Sequence, residues 1–173
     1  MPAKETPILE SSGINLKKMN PIEMAFSGQE RMDFTLDSRM NYIKAMYRKD
    51  VGWISFIYGH SGKAPGFENG TGIANIIAKQ NWKNSHGQEG GKRGKDLVLD
   101  LVETIARGTV KRTYGPMGFK QYDVTYMGVV ATLLWHRGRK TFYLSSWGNF
   151  GKGQEVLESA GIGWNLGTGI NGC

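Results

Sequence analysis

Between residues 37 and 107 the hydrophobic positions follow a helical spacing interrupted by one strand-like run, and after it a two-residue spacing. From Asp37, a capping residue type, Met40, Ile43, Met46 and Tyr47 fall on one helical face while Arg39, Lys44 and Arg48 fall elsewhere, which predicts a helix over 37–49. VGWISFIYG (51–59), rich in β-branched and aromatic residues and closed by glycine, predicts a buried strand, and HSGKAPGFENG a loop. Thr71 opens a second helix in which Ile73, Ile76 and Ile77 make the apolar stripe and Asn75 and Lys79, four apart, share another face. NSHGQEGGKRGK cannot bury much and reads as loop; Leu97, Val98, Leu101, Val102 and Ile105 then define a helix over 95–107, stopped by Gly108.

Beyond Gly108 the runs TVKRTY (109–114), FKQYDVTY (119–126), GVVATLLWH (128–136) and KTFYLSSW (140–147) alternate like strands. The connections between them are short, so neighbours should be antiparallel. The expected architecture is α+β, with N-terminal helices packed on a four-stranded antiparallel sheet. Residues 1–36 mix proline, serine, glycine and charge without a sustained period and read as an arm, 37–150 as one domain, and 151–173 as a glycine-rich tail.

Composition narrows the function. A chain of 173 residues with 39% hydrophobic residues has room for one core. Its one cysteine, Cys173, is the last residue, so no internal disulfide and no cysteine zinc site is expected. The N-terminus lacks the apolar core of a signal peptide and no apolar run reaches bilayer-spanning length, so no membrane association is expected. The net charge of +7 is concentrated: eight basic residues oppose four acidic ones in 79–112, and four oppose one in 113–150. Confined basic excess suits a polyanion such as nucleic acid, because each neutralised phosphate releases counterions. A basic pI that merely aids solubility is the plainer alternative.

P-loop, zincin and paired-cysteine motifs are absent from the sequence, and its 15 acidic residues lie mostly in the arm and on helix exteriors rather than clustered for two metals. No metal or other cofactor is expected. RNA carries its own nucleophile, so an enzyme that removes the 2′-hydroxyl proton, stabilises the phosphorane and protonates the leaving oxygen needs no metal. Lys79, His86, Lys92, Arg93, Arg112, Tyr143, Ser145 and Ser146 supply the residue types. On the last strand Tyr143, Ser145 and Trp147 alternate with Phe142, Leu144 and Ser146; if the second set is core, the first lines a groove with aromatics for stacking, and if reversed, it is packing.

The order W-I-x-F-I-Y-G, G-x-G-I-A-x-I-I-A-K, I-A-R-G-T-V, V-x-Y-x-G-V-V-A-T-L and F-Y-L-S-S-W over roughly 38–150 resembles the phage and polymorphic-toxin branch of the BECR nucleases, the superfamily of barnase, EndoU, tRNA-cutting colicins and RelE. The resemblance implies a metal-independent endoribonuclease with its groove on the sheet, acting on RNA such as tRNA in the cytoplasm of a bacterial cell, with a cognate immunity or antitoxin protein. It implies catalytic roles for Lys79 and Ser145. It departs where that branch commonly has histidine and this chain has Asn75; His86, in an inserted loop, or His60 is the candidate replacement. Arg112 joins the catalytic candidates, and Asn75, Lys92, Arg93, Arg137, Arg139, Tyr143 and Trp147 are the candidate nucleic-acid contacts. His136, beside Arg137 and Arg139, reads as a phosphate contact. A nucleic-acid-binding phage or virion protein without catalysis is the alternative. On either reading the basic loop after GIANIIAKQ guides an RNA strand toward the sheet.

Overall fold

The computed structural model describes residues 5–6, 16–85, 94–114 and 120–149. The chain runs β1 (Glu5–Thr6), a 3-10 turn (Leu16–Lys18), α1 (Pro21–Ser38), β2 (Asn41–Arg48), β3 (Gly52–Phe56), α2 (Gly72–Ser85), α3 (Gly94–Arg107), β4 (Thr109–Tyr114), β5 (Lys120–Tyr126), β6 (Val129–His136) and β7 (Thr141–Asn149). The strands form one sheet in the order β1-β2-β3-β7-β6-β5-β4. The predicted antiparallel meander β4 to β7 is there, within one or two residues of its expected bounds, and α2 and α3 begin within one residue of theirs.

The α+β class holds, but the sheet is larger and mixed. β3 lies parallel to β7, β2 antiparallel to β3, and the two-residue β1 parallel to β2. The expected helix over 37–49 is β2, and the helix lies earlier, in residues read as an arm. Both corrections have local causes. In β2 the register slips between Tyr42 and Met46, leaving Ala45 and Met46 adjacent and both buried. Lys44 at the irregularity has φ 58°, and its N–H donates to Ser55 Oγ at 2.9 Å. Four residues of β2 span two of β3 there, and the two inserted residues convert strand alternation into spacings that imitate a helix.

Helix α1 starts on a capping box: Asn20 Oδ1 accepts from the Glu23 N–H at 2.8 Å, and Glu23 Oε1 accepts from the Asn20 N–H at 3.0 Å, with Pro21 in the first turn. Its apolar pattern is hidden because the inner face includes Ser27, Gly28, Arg31 and Thr35 beside Met24, Ala25 and Met32, while Ile22, Phe26 and Phe34 face outward. Arg31, 7% exposed, donates to the Ser27 carbonyl at 3.0 Å and to Ser27 Oγ, and its guanidinium lies 5.7 Å from the Tyr42 ring centre. Gly28 lets α1 close on α3: a Cβ there would stand 2.8 Å from Val102 Cγ1.

All three helices cover one face of the sheet. Val98, Leu101, Val102 and Ile105 of α3 are fully buried against a core that includes Val124, Ala131, Leu133 and Leu144, each such side chain contributing roughly 1.5–3 kcal/mol of burial free energy. The end of β2 is tied to the end of α3 by Arg48, whose guanidinium donates to the carbonyls of Ile105 at 2.7 Å and Gly108 at 2.8 Å. Gly108 leads straight into β4 at the far edge, so the sheet curls around α3 to bring these ends together.

Candidate nucleic-acid interface

Cross-strand register sorts every strand residue onto one of two faces. The row Arg112–Tyr122–Leu133–Leu144 lies on the helix side, since Leu133 and Leu144 are core. The rows facing away are mostly polar, with Val130 and Leu134 among them. One runs Thr109–Thr125–Val130–Gly148, the next Lys111–Asp123–Thr132–Ser146, the next Thr113–Gln121–Leu134–Tyr143–Ser55, and the last pairs His136 with Thr141. Continuing the parallel register of Ile54 with Phe142 sets Trp53 alongside Thr141, and Trp53 pairs with Tyr47. The far face thus carries Tyr143 and His136 at one place and Trp53 and Tyr47 next to it.

These aromatic groups are interleaved with cations. The Tyr47 and Trp53 rings meet edge to face, with centroids 5.1 Å apart. Lys17 Nζ stands 5.5 Å from the Tyr47 centroid and 5.8 Å from that of Trp53, and Lys44 Nζ stands 5.4 Å from Trp53. The His136 and Tyr143 rings are 5.9 Å apart, also edge to face. His136 Nδ1 accepts from the Arg139 N–H at 3.1 Å, which assigns the proton of the neutral ring to Nε2. Arg137 and Arg139 belong to the turn joining β6 and β7 that follows His136 in the chain.

In the middle of the face Asp123 is completely buried, and its Oδ1 accepts from Thr132 Oγ1 at 3.0 Å and from Gln121 Nε2 at 3.2 Å. Ser55 and Thr141 hydroxyls bond at 2.9 Å between β3 and β7. The described residues contain no group of three or more His, Cys, Asp or Glu able to hold a metal ion. Their helices include none long and apolar enough to cross a membrane.

Other predicted site residues are not brought to this face. Thr132 pairs with Ser146 and Leu133 with Leu144, which leaves Ser145 as the extra residue of a bulge. The bulge reverses the phase of β7, so Trp147, expected beside Tyr143, pairs with Ala131 on the helix side, where Lys83 Nζ lies 5.5 Å from its ring. Arg112 is exposed but on the helix-side row. Lys79 lies on α2, also on the helix side, since α2 packs on the face that holds Trp147. Asn75 is buried, and its Nδ2 donates to the carbonyls of Ser61 at 2.8 Å and Phe67 at 2.6 Å, so it fastens the 61–70 loop. His60 is exposed and joined to Thr71 through reciprocal backbone bonds of 3.0 and 2.9 Å. His86, Lys92 and Arg93 lie outside the described residues.

Sequence reasoning missed Tyr47, Trp53, Lys17 and Lys44 as one cluster, because reading 37–49 as a helix separates Tyr47 from Trp53. The available signal was the short turn KDV between NYIKAMYR and GWISF, which suits a hairpin. No family model, curated protein or solved structure matches the chain.

Proposed function

We propose that the protein binds single-stranded RNA on the sheet face turned away from its helices. The observation that carries this reading is the interleaving of Tyr47 and Trp53 with Lys17 and Lys44 on that face, next to Tyr143, His136 and the turn that holds Arg137 and Arg139. Each cation–aromatic contact at an exposed site is worth about 0.5–1 kcal/mol. A base stacked on the same ring is worth about 1–3 kcal/mol, so exchanging the lysine for a base is favourable and releases the ammonium to a phosphate. Splayed single-stranded bases reach such platforms, whereas a duplex keeps its bases stacked on each other.

Metal-independent cleavage of that RNA is the second reading, in keeping with the BECR resemblance. It is favoured by His136, whose Nε2 carries the proton and whose ring meets that of Tyr143 on the proposed binding face. Lys79 and Arg112 on the helix side favour binding over cleavage by the residues first assigned, and move the acid–base role to His136. The test is a titration of fluorescein-labelled oligouridine by the full chain at several salt concentrations. Tight binding that weakens steeply with salt and falls on Tyr143→Ala is expected. Affinity that ignores both salt and the substitution would end the proposal.

A further inference from the structure

The outer face of α1 is unlike the rest of this basic protein. Ile22 is 54% exposed, Phe26 67% and Phe34 36%, and all three lie within one 120° arc of the helix, given about 100° per residue. Between them project Glu30, Asp33 and Asp37, also exposed, and none of the three makes an ion pair among the described residues. The arc contains no basic residue; the one arginine of α1, Arg31, is turned inward. In a chain of net charge +7 this is a confined acidic and apolar ridge. It stretches about 18 Å from Ile22 to Phe34 at a rise of about 1.5 Å per residue.

The ridge is held rigidly. A capping box fixes its start, and Gly28 on the opposite side seats α1 against Val102 and Met46. A surface that needs no ordering on association loses less entropy when it binds.

From this we infer that α1 is a docking surface for a basic amphipathic helix of a partner protein. The carboxylates repel phosphate, so the ridge is not an extension of an RNA surface, and they equally repel the anionic leaflet of a membrane. Two copies meeting through the same ridge would oppose carboxylate to carboxylate, since a two-fold contact pairs a patch with itself. A partner helix of about three turns, with leucine-like residues at i, i+4 and i+12 and lysine or arginine between them, satisfies both the apolar and the charged positions. The inference does not depend on RNA binding, because the ridge lies on the helix layer and the polar sheet face on the opposite side.

The experiment uses the full chain and a labelled 14-residue model helix with a leucine stripe flanked by lysines, followed by fluorescence anisotropy. Saturable binding is expected to the unmodified chain, weakened at least tenfold by Phe26→Ser combined with Asp33→Lys, and absent for the same peptide with glutamate in place of lysine. Both substituted positions are exposed, and circular dichroism checks that the variant keeps its fold. Tyr143→Ala should leave peptide binding unchanged. No binding, or binding equally strong in the double variant, overturns the inference. So does self-association of the chain in sedimentation that the double variant abolishes, which would make the occupant another copy of this protein.

Discussion

Arg48 at the end of β2 donates to the carbonyl of Gly108, 2.8 Å away, and so closes the curl of the sheet over the C-terminus of α3. The same guanidinium bonds Asp50 through Nε at 2.9 Å and Nη2 at 3.1 Å. A cation at a helix C-terminus meets the negative end of the macrodipole and the last unpaired carbonyls together. Arg48→Met keeps the length of the stem but leaves those carbonyls without their donor. It should lower unfolding free energy by about 2–3 kcal/mol, the range for hydrogen bonds from a charged group. Urea denaturation of the two proteins checks this; a change below half a kcal/mol would mean that water replaces the guanidinium at no cost.

Asp50 gives the same cluster a pH dependence. The hydrogen bond from Arg48 is the largest effect on its carboxyl and lowers its pKa below the ordinary 3.8, against the opposing effect of partial burial. A lowered native pKa means that stability from this group is complete above the unfolded value and is lost as pH falls through the native one. Urea midpoints should therefore fall more steeply below about pH 4 in the unmodified protein than in Asp50→Asn, and the two curves should converge at the acid end. The effect should be small, because the Asp50 side chain is half exposed.

The contact between α1 and α3 predicts a non-additive pair. Gly28→Ala places a methyl group 2.8 Å from Val102 Cγ1 and should destabilise by about 1–3 kcal/mol, as overpacking does. Val102→Ala removes that obstacle while costing its own burial. In a double-mutant cycle the pair should be more stable than the sum of the single effects by at least about 0.5 kcal/mol. Additive effects would indicate that the helices separate instead of clashing.

How far these features could be read from the chain depends on whether one period rules each segment. In α3 the buried positions are apolar except Thr104 and Gly94, and the pairing register of β4 to β6 is unbroken, so pattern alone placed these elements closely. In α1 the side that packs carries Ser27, Gly28, Arg31 and Thr35 while the side that shows Ile22 and Phe26 is exposed, so its hydrophobic pattern points the wrong way. What remained legible there was the cap, N-P-I-E. In β2 two inserted residues, and in β7 one, shift the pairing. One slip disguised a strand as a helix, and the other exchanged the faces of Ser146 and Trp147. The Asn75 amide meets the 61–70 loop, a contact that no local pattern reveals.

That contact makes a prediction separating structure from function. Asn75→Ala removes both bonds to the loop and should cost about 1–3 kcal/mol, since two carbonyls lose their donor. RNA affinity at a temperature where the variant is folded should be unchanged. A large loss of affinity in a stable, folded variant would return Asn75 to the nucleic-acid interface.

The remaining prediction decides between binding and cleavage. If His136 transfers protons, total RNA incubated with the full chain in EDTA should yield discrete fragments with 2′,3′-cyclic phosphate ends, because the nucleophile is the RNA's own 2′-hydroxyl and no metal is required. His136→Ala should then reduce the cleavage rate by about 10²-fold or more, the usual contribution of a positioned acid or base. Tyr143→Ala should instead weaken binding by roughly 5- to 100-fold, as the loss of one stacked base does. His60→Ala should do neither, since His60 lies in a loop joined to Thr71 and is not among the residues of the sheet face. Ser145→Ala, at the bulge next to Ser146, tests whether the extra residue reaches the phosphate: a drop in rate without a drop in affinity would assign it to the transition state. If RNA survives intact in EDTA and with magnesium, while Tyr143→Ala still weakens binding, the face holds RNA without cutting it.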